Sequence, residues 1–494
     1  MFWKKGKRGN NDRKDKPQNA TQTAVTLDGL RQFLANMEDA EIIQRQTKTG
    51  QKITLVYIRT LIDQERLNES VMEPLTHCSH DTIHECIATS RLTNITTVAE
   101  AKKQLVQGSI LLNDLSQNKW WAVHLENPLS RGIESSATET IIYGARDSFS
   151  EQIEKNITLI RRRLPITALK TEKFTIGSLS QTTVVLMYIE GLTNPDHISN
   201  ARSKLSAIDF DQFLDSSEVA FFMEDHIHSI FPQFQETDRP DACAYSLGLG
   251  KLIFLVDNTP YALIAPITFF NLFQSPEDYF LRWIVASFFR CIRYLSFVLA
   301  VTLIPLYVAL TTHHYQMIPL EIISVLLESR SKLPFTPFWE AFLMLMTLEV
   351  IKEASLRMPT KSGQTLGVIG GIVIGQATVA AGFASKVLIV LVGISAIASF
   401  LVPNYEVTKS STLIQFFFLV LSAILGVFGI ALGGIAVLAH LNGLTSLKQP
   451  YFAPVTPFYR KDWIDLFIRG PLLWMKTRPE YVSPLQKWRS NRRR

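Results

Sequence analysis

Charge is almost absent from one long stretch: across the 86 residues from 362 to 447 the only formal charges are Lys386, Glu406 and Lys409. A water-exposed surface needs more than that, so a fully soluble protein is excluded. Cysteine is also scarce, four in 494 residues. That excludes a secreted disulfide scaffold and fits reduced thiols on the cytoplasmic side. No Walker loop, GxGxxG, GxSxG or HExxH pattern occurs. Nucleotide hydrolysis and the common hydrolytic mechanisms lose their usual signature, and the chain is not read as an enzyme. No apolar run long enough to span a bilayer precedes about residue 283. A signal peptide is therefore not expected, and the preceding residues are expected to stay on the side where they are made.

What basic excess exists is confined to the ends. The net charge is +6, yet residues 1–16 hold seven Lys/Arg against two Asp, and residues 460–494 hold ten against three acids. The basicity belongs to two tails rather than to one face, which excludes a nucleic-acid binder of the usual kind.

The apolar runs fall at about 287–310, 335–351, 366–382, 387–402 and 413–439, judged against the roughly 20 apolar residues a bilayer requires. Lysine and arginine favour the cytoplasmic side, so two basic tails ask for an even number of crossings. The 335–351 run is short, lies beside Pro334 and Pro337, and contains Glu340 and Glu349. It is read as interfacial or re-entrant, leaving four crossings. The alternative is six, with 413–439 split at Gly433-Gly434, because 27 residues at about 1.5 Å each overfill one upright crossing.

The preceding part alternates short apolar runs with amphipathic stretches, as an α/β domain does. Leu55-Val56-Tyr57-Ile58, followed by a helical stretch, is echoed by Leu186-Met187-Tyr188-Ile189. Gln107-Gly108-Ser109-Ile110-Leu111-Leu112 is echoed by Leu249-Gly250-Lys251-Leu252-Ile253-Phe254. The order strand, helix, strand pair recurs, which predicts two similar α/β subdomains. The expected organisation is a basic tether at 1–26, subdomains at 27–143 and 144–270, a membrane domain of four to six helices at 280–447, and a basic cytoplasmic tail at 448–494. Arg161-Arg162-Arg163 close an amphipathic helix and read as a solvated basic end that complements the helix dipole.

Four features carry candidate chemistry. His77-Cys78-Ser79-His80-Asp81-Thr82-Ile83-His84-Glu85-Cys86 is rich in metal-ligand types, but its spacing matches no closed zinc site. It reads as a polar helix start with two buried thiols, and neither a metal nor a cofactor is expected. Glu349, Glu353 and Arg357 lie four apart on one helical stripe, an acid–acid–base ladder at the membrane boundary. Arg290 and Arg293, inside the first apolar run, either pair with that ladder or snorkel to the interface. Finally, Gly367, Gly371, Ile374, Thr378, Ala381 and Ser385 share one helical face that is small and partly hydroxylated. A ring of such faces leaves a narrow path that Ile374 closes by dewetting, whereas Gly367, Gly371 and Gly375 equally suit close helix packing.

Several motifs together resemble a known family. They are Gly144-Ala145-Arg146-Asp147-Ser148-Phe149, Asn156-Ile157-Thr158-Leu159, Phe231-Pro232-Gln233, Thr237-Asp238-Arg239-Pro240-Asp241, Ser275-Pro276-Glu277-Asp278-Tyr279 and Gln449-Pro450-Tyr451-Phe452-Ala453-Pro454. In this order they resemble the A subunits of GerA-type spore germination receptors, from about residue 140 to 460. The chain departs from the family pattern at Ala145, Asp147, Ser355 and 446–449. The resemblance implies a multi-pass protein of the spore inner membrane, with the N-terminal domain and C-terminal tail cytoplasmic. It also implies a permease-like B subunit and a lipoprotein C subunit as partners, and a homo-oligomer through which ions leave when nutrient is sensed. It weights the glycine-rich helix towards pore lining. A scaffold subunit without conduction is the alternative.

Overall fold

The computed structural model describes residues 24–48, 50–78, 86–87, 92–114, 119–128, 144–331, 333–357, 373 and 375–489. The predicted tether lies outside them up to residue 23. The chain divides into two compact units, Met1–Arg131 with Leu164–Thr167, and Gly132–Arg163 with Ala168–Arg494.

In the first unit, strands β1 (Ala40–Gln46), β2 (Lys52–Ile58), β3 (Leu92–Ile95), β4 (Ser109–Asp114) and β5 (Lys119–His124) form an antiparallel sheet ordered β1-β2-β4-β5-β3. Side chains alternate across a strand, so β2 feeds two cores. Val56 and Ile58 pack with Leu30, Phe33, Ala101 and Leu105 from helices Leu27–Leu34 and Val98–Val106. Leu55 and Tyr57 pack on the other face with Leu67, Val71 and Leu75. Thr26 and Thr97 cap those two helices with their side-chain oxygens.

The second unit begins with the same plan. Strands β6 (Leu169–Ile176), β7 (Thr182–Ile189), β8 (Gln235–Thr237), β9 (Leu252–Val256) and β10 (Ala262–Ala265) are ordered β6-β7-β9-β10-β8. Position for position this is the order of the first sheet, so the repeat read from the sequence exists as topology. A tyrosine–glutamate bond also recurs between the first two strands of each copy, Tyr57 donating to Glu41 and Tyr188 to Glu172. In β1–β2 the two residues are directly opposite; in β6–β7 Glu172 faces Leu186, so its bond to Tyr188 is diagonal.

Helix Ile153–Arg163 corrects the solvated reading of its basic end. Arg161 is 1% exposed and donates to the Leu169 carbonyl and Thr171 hydroxyl. Arg163 pairs with Asp147. Guanidinium groups are being used here to satisfy a buried strand edge, which the periodicity alone does not reveal. The thiol reading also changes: Cys78 and Cys86 form a disulfide with Cα atoms 5.5 Å apart. His80 and His84 lie outside the described residues, and among those described no His/Cys/Asp/Glu group could hold a metal.

After β10 comes a helical bundle of Trp283–Thr312, Leu320–Arg330, Pro337–Leu356, Lys386–Phe400, Tyr405–Leu425 and Val427–Gly443. Two of these, Trp283–Thr312 and Tyr405–Leu425, are long and apolar enough to cross a membrane. Ile304, Val308, Leu345, Leu388, Val392 and Leu419 form the bundle core, while Leu295, Val298, Ile397, Ile424, Phe428 and Ile435 point outward, exposed.

The 335–351 run is helical and packed into the bundle. It belongs to the 20-residue Pro337–Leu356 helix, which packs against the first, Lys386–Phe400 and Tyr405–Leu425 helices. Its Glu340 is 0% exposed and is answered by Arg330 at 3.1 Å and the Ser385 N–H at 3.3 Å. A partner removes most of the objection to burying that carboxylate.

The 413–439 run does split, but at Gly426 rather than at Gly433-Gly434. Gly426 adopts φ +61°, and a Cβ there would lie 2.5 Å from the His314 ring. The ring of His313 meets the freed Ala423 carbonyl at 2.9 Å, so the break is seated on the end of the first apolar helix. Gly433 instead lets the two helices approach, since a Cβ there would press on Phe418 at 2.8 Å.

The C-terminal stretch is a packed segment and not a free basic tail. Leu447, Tyr451, Ala453, Leu466, Met475, Tyr481 and Val482 are all buried. Ser446 donates to the Gln233 carbonyl at 2.6 Å, Tyr451 to Pro232 at 2.6 Å, and Arg478 to Gly248 at 2.8 Å. Its positive charges mislead because the apolar residues between them carry the packing.

Candidate functional site

The strongest constellation of buried charge lies where the chain enters the bundle. Ser275 and Asp278 form a capping box around the short helix Pro276–Tyr279. This fixes the Asp278 carboxylate, itself 0% exposed, beneath the first two turns of Trp283–Thr312. Arg290 is also 0% exposed. Its Nε donates to Asp278 Oδ2 at 3.1 Å and its Nη1 to Asp465 Oδ1 at 2.8 Å. Arg293 Nη1 completes the cluster on Asp278 at 2.8 Å. Tyr279 donates to Asp465 at 2.8 Å, and its hydroxyl pKa is pushed well up by burial and by that carboxylate. Arg469 lies 5.6 Å over the Tyr279 ring and exchanges backbone bonds with Ser287 at 3.1 Å.

Arg290 and Arg293 are answered by Asp278 and Asp465, while the buried Arg469 beside them is held by the Leu281 and Tyr279 carbonyls. Removing one partner of such a set costs about 3–5 kcal/mol, because the other remains buried and unpaired. Chemically the cluster is a clamp rather than an acid–base site: it joins the segment leading out of the second sheet, the first apolar helix and the C-terminal segment.

The predicted residues fall out as follows. Arg290 and Arg293 neither meet the Glu349–Arg357 ladder nor snorkel, because Asp278 and Asp465 take them. Glu349 bonds to Lys352 at 2.9 Å and accepts from Thr412 at 3.4 Å, while Glu353 and Arg357 pair with each other at 2.7 Å, both exposed. The ladder is thus a local helix feature. Of the predicted small face, Gly367, Gly371 and Ile374 lie outside the described residues. Thr378 is half-buried on the helical turns 375–380. That helix ends before Ala381, with Gly382 at φ +69°, so Ala381 and Ser385 do not continue its face. Ala381 is exposed in the turn. Ser385 is 1% exposed, caps Lys386–Phe400 through the Leu388 N–H at 3.1 Å, and meets the Tyr307 hydroxyl at 3.1 Å.

Sequence reasoning missed Asp278 and Asp465 as the partners. Asp278 lay inside a quoted motif, and an arginine within an apolar helix was the signal that some carboxylate must come to it. It also missed a polar seam inside the bundle, where Gln415 donates to Ser395 at 2.9 Å and Ser395 to the Ala300 carbonyl at 3.0 Å.

These features define a helical-bundle protein whose second α/β sheet is bolted to its first apolar helix and to its C-terminal segment. Comparison with known proteins supplies the family: residues 28–481 match the family model described as Bacillus/Clostridium GerA spore germination protein. The chain belongs to that family. Spore germination protein GerQA of Bacillus cereus is 36% identical over 472 residues, covering 94% of each chain. Spore germination protein GerIA of Bacillus cereus is 36% identical over 449 residues, covering 89% of this chain and 67% of that one. An uncharacterized membrane protein, YfkQ of Bacillus subtilis, is 33% identical over 453 residues, covering 90% of this chain and 88% of that one. Among solved structures, the crystal structure of the N-terminal domain of the A subunit of the Bacillus megaterium spore germinant receptor GerK3 aligns with a TM-score of 0.38 and 21% identity. The alignment covers 50% of this chain and 98% of that one.

Proposed function

We propose that the chain is the A subunit of a nutrient-responsive germination receptor in the spore inner membrane. Copies of it assemble into a nutrient-gated ion channel, alongside a permease-like B subunit and a lipoprotein C subunit. The outward-facing apolar side chains of the bundle support a lipid environment. Helix directions support six crossings. The far end of Trp283–Thr312 meets Gly426, and Ser410, near the start of Tyr405–Leu425, bonds to Ile230 of the α/β part. Those two helices run the same way. Pro337–Leu356 and Lys386–Phe400 run against them, since Ser385 meets Tyr307 and Glu340 at the far end. The 366–382 run, expected from the sequence to span, would supply the remaining crossing, which puts both tails on one side.

The observation that carries the reading is the Arg290–Asp278–Asp465 clamp, because it lets a rearrangement of the α/β part pull directly on the first apolar helix. In the channel the Gly367, Gly371, Ile374 and Thr378 face lines the path and Ile374 closes it. Spores carrying Ile374→Ala should germinate without nutrient. Spores that stay dormant with normal protein levels would count against conduction. The non-conducting scaffold remains the second reading because Ser385, the last residue of the predicted face, is spent on a helix cap and on Tyr307. In that reading substitutions along the face disturb assembly and never leak.

A further inference from the structure

A cavity of about 730 Å³ lies beside the clamp, between helix Pro240–Leu249, the 268–280 stretch and the C-terminal segment 454–489. Its size is that of a small-molecule site, and most of its lining is apolar. One wall is Lys251, at the start of β9 and 3% exposed. Its ammonium donates to Asn271 Oδ1 at 2.9 Å and lies 5.9 Å from the centre of the Tyr481 ring. Among the described residues no carboxylate bonds to it. An ammonium offers three protons and only one is taken. Nor can Asn271 do more, since its carbonyl oxygen already accepts from the Thr268 N–H and the Tyr481 hydroxyl, each at 3.1 Å. A charge buried without a counter-ion is costly, and burial pulls the Lys251 pKa down to about 7. Tyr245 and Tyr279, 4.8 Å apart between ring centroids, and Phe270 give the lining an aromatic part, while Arg460, Lys461, Lys476 and Arg489 lie at its exposed margin.

A phosphate group calls for several donors in a fork or a nest of backbone N–H groups. Of the cations in the lining, Lys251 alone is buried, and its ammonium lies beside the Tyr481 ring, which suits a single negative charge on an apolar body. We propose that this cavity binds a small organic carboxylate, its charged end on Lys251 and its apolar body among Tyr245, Phe270 and Tyr481. Tyr279 and Asp465 line the cavity and also belong to the clamp, so an occupant stiffens the junction from the side. The proposal rests on the cavity and not on conduction, so failure to bind leaves the channel reading standing, and the reverse holds.

The test uses the full chain in phosphatidylcholine nanodiscs with radiolabelled 4-phenylbutyrate as probe and its neutral amide as competitor. The expected result is saturable binding, with the amide competing about tenfold more weakly than unlabelled probe, as loss of one buried charge-assisted bond implies. Lys251→Gln should weaken binding about tenfold or more. Ala242→Phe, on the half-buried cavity side of Pro240–Leu249, should do the same by filling the space with Lys251 intact. Thermal unfolding of both variants checks that they fold. Absent saturation, or equal binding by wild type and both folded variants, would overturn the proposal. So would loss of probe binding when phosphatidylglycerol is added to the discs, which would give the cavity to a lipid phosphate.

Discussion

The two α/β sheets share one strand order and differ in what completes them. The first is covered on both faces by helices from its own stretch of chain, with Leu30, Phe33 and Leu105 on one side and Leu67, Val71 and Leu75 on the other. The second is finished by residues from beyond the bundle. Leu447 enters its core, Thr445 and the Lys448 N–H both bond to Asp225 at 2.7 Å, and the Leu485 N–H bonds to Leu192 at 2.9 Å. A duplicated unit has thus kept its topology while one copy has become the anchor of the helices.

The largest effect that could break this comparison is at the clamp. Asp278→Ala strands Arg293 and leaves Arg290 with Asp465 alone, and should destabilise the second unit by about 3–5 kcal/mol, seen as a lowered unfolding midpoint of the purified full chain. Glu41→Gln at the tyrosine–glutamate bond of the first copy should cost only about 1 kcal/mol or less. If the two changes cost the same, the clamp is not a special anchor.

A smaller effect is pH-dependent and specific to the second copy. β8 carries Glu236, whereas β3, its counterpart, holds Thr93 and Asn94 at the matching positions. Burial, with Glu406 and Asp215 nearby, raises the Glu236 pKa to about 8. The folded state therefore holds this proton more tightly than the unfolded chain. Its contribution is full below the unfolded pKa of about 4.3 and is lost as pH rises towards the folded value. Glu236→Gln should leave the midpoint nearly unchanged at pH 4 and raise it at pH 8.5, measured by thermal unfolding at both pH values. A variant with the same shift at both would show that Glu236 is not held protonated.

The smallest effect sharpens the lacing of the C-terminal segment. Tyr451→Phe removes the bond to Pro232 and should cost about 1 kcal/mol, with hydrogen exchange rising in 444–455 before the first sheet is affected. Equal exchange in both regions would mean that the segment is not held by this contact.

Much of the architecture was legible locally. The short apolar run Leu55-Val56-Tyr57-Ile58 and its echo at 186–189 pointed to the paired sheets, and longer apolar runs to the helices. What was not legible depended on distant partners. Arg290 needs Asp278, twelve residues earlier, and Asp465, 175 residues later, and no spacing rule reaches that far. The break after Leu425 was sought at the conspicuous Gly433-Gly434 pair, but His313 and His314 select Gly426. The tail read only as basic because its charges are frequent, yet Leu466, Met475 and Val482 between them are buried. Ser385 fitted a helical face on paper until Gly382 turned the chain and made it a cap.

The claim that copies of this chain surround a gated ion path is tested most directly by potassium efflux from liposomes containing the purified protein. The account predicts slow efflux for wild type and, for Ile374→Ala at equal incorporation, efflux faster by about tenfold or more, as opening a hydrophobic constriction implies. Equal efflux from the two, at the rate of protein-free liposomes, would contradict it.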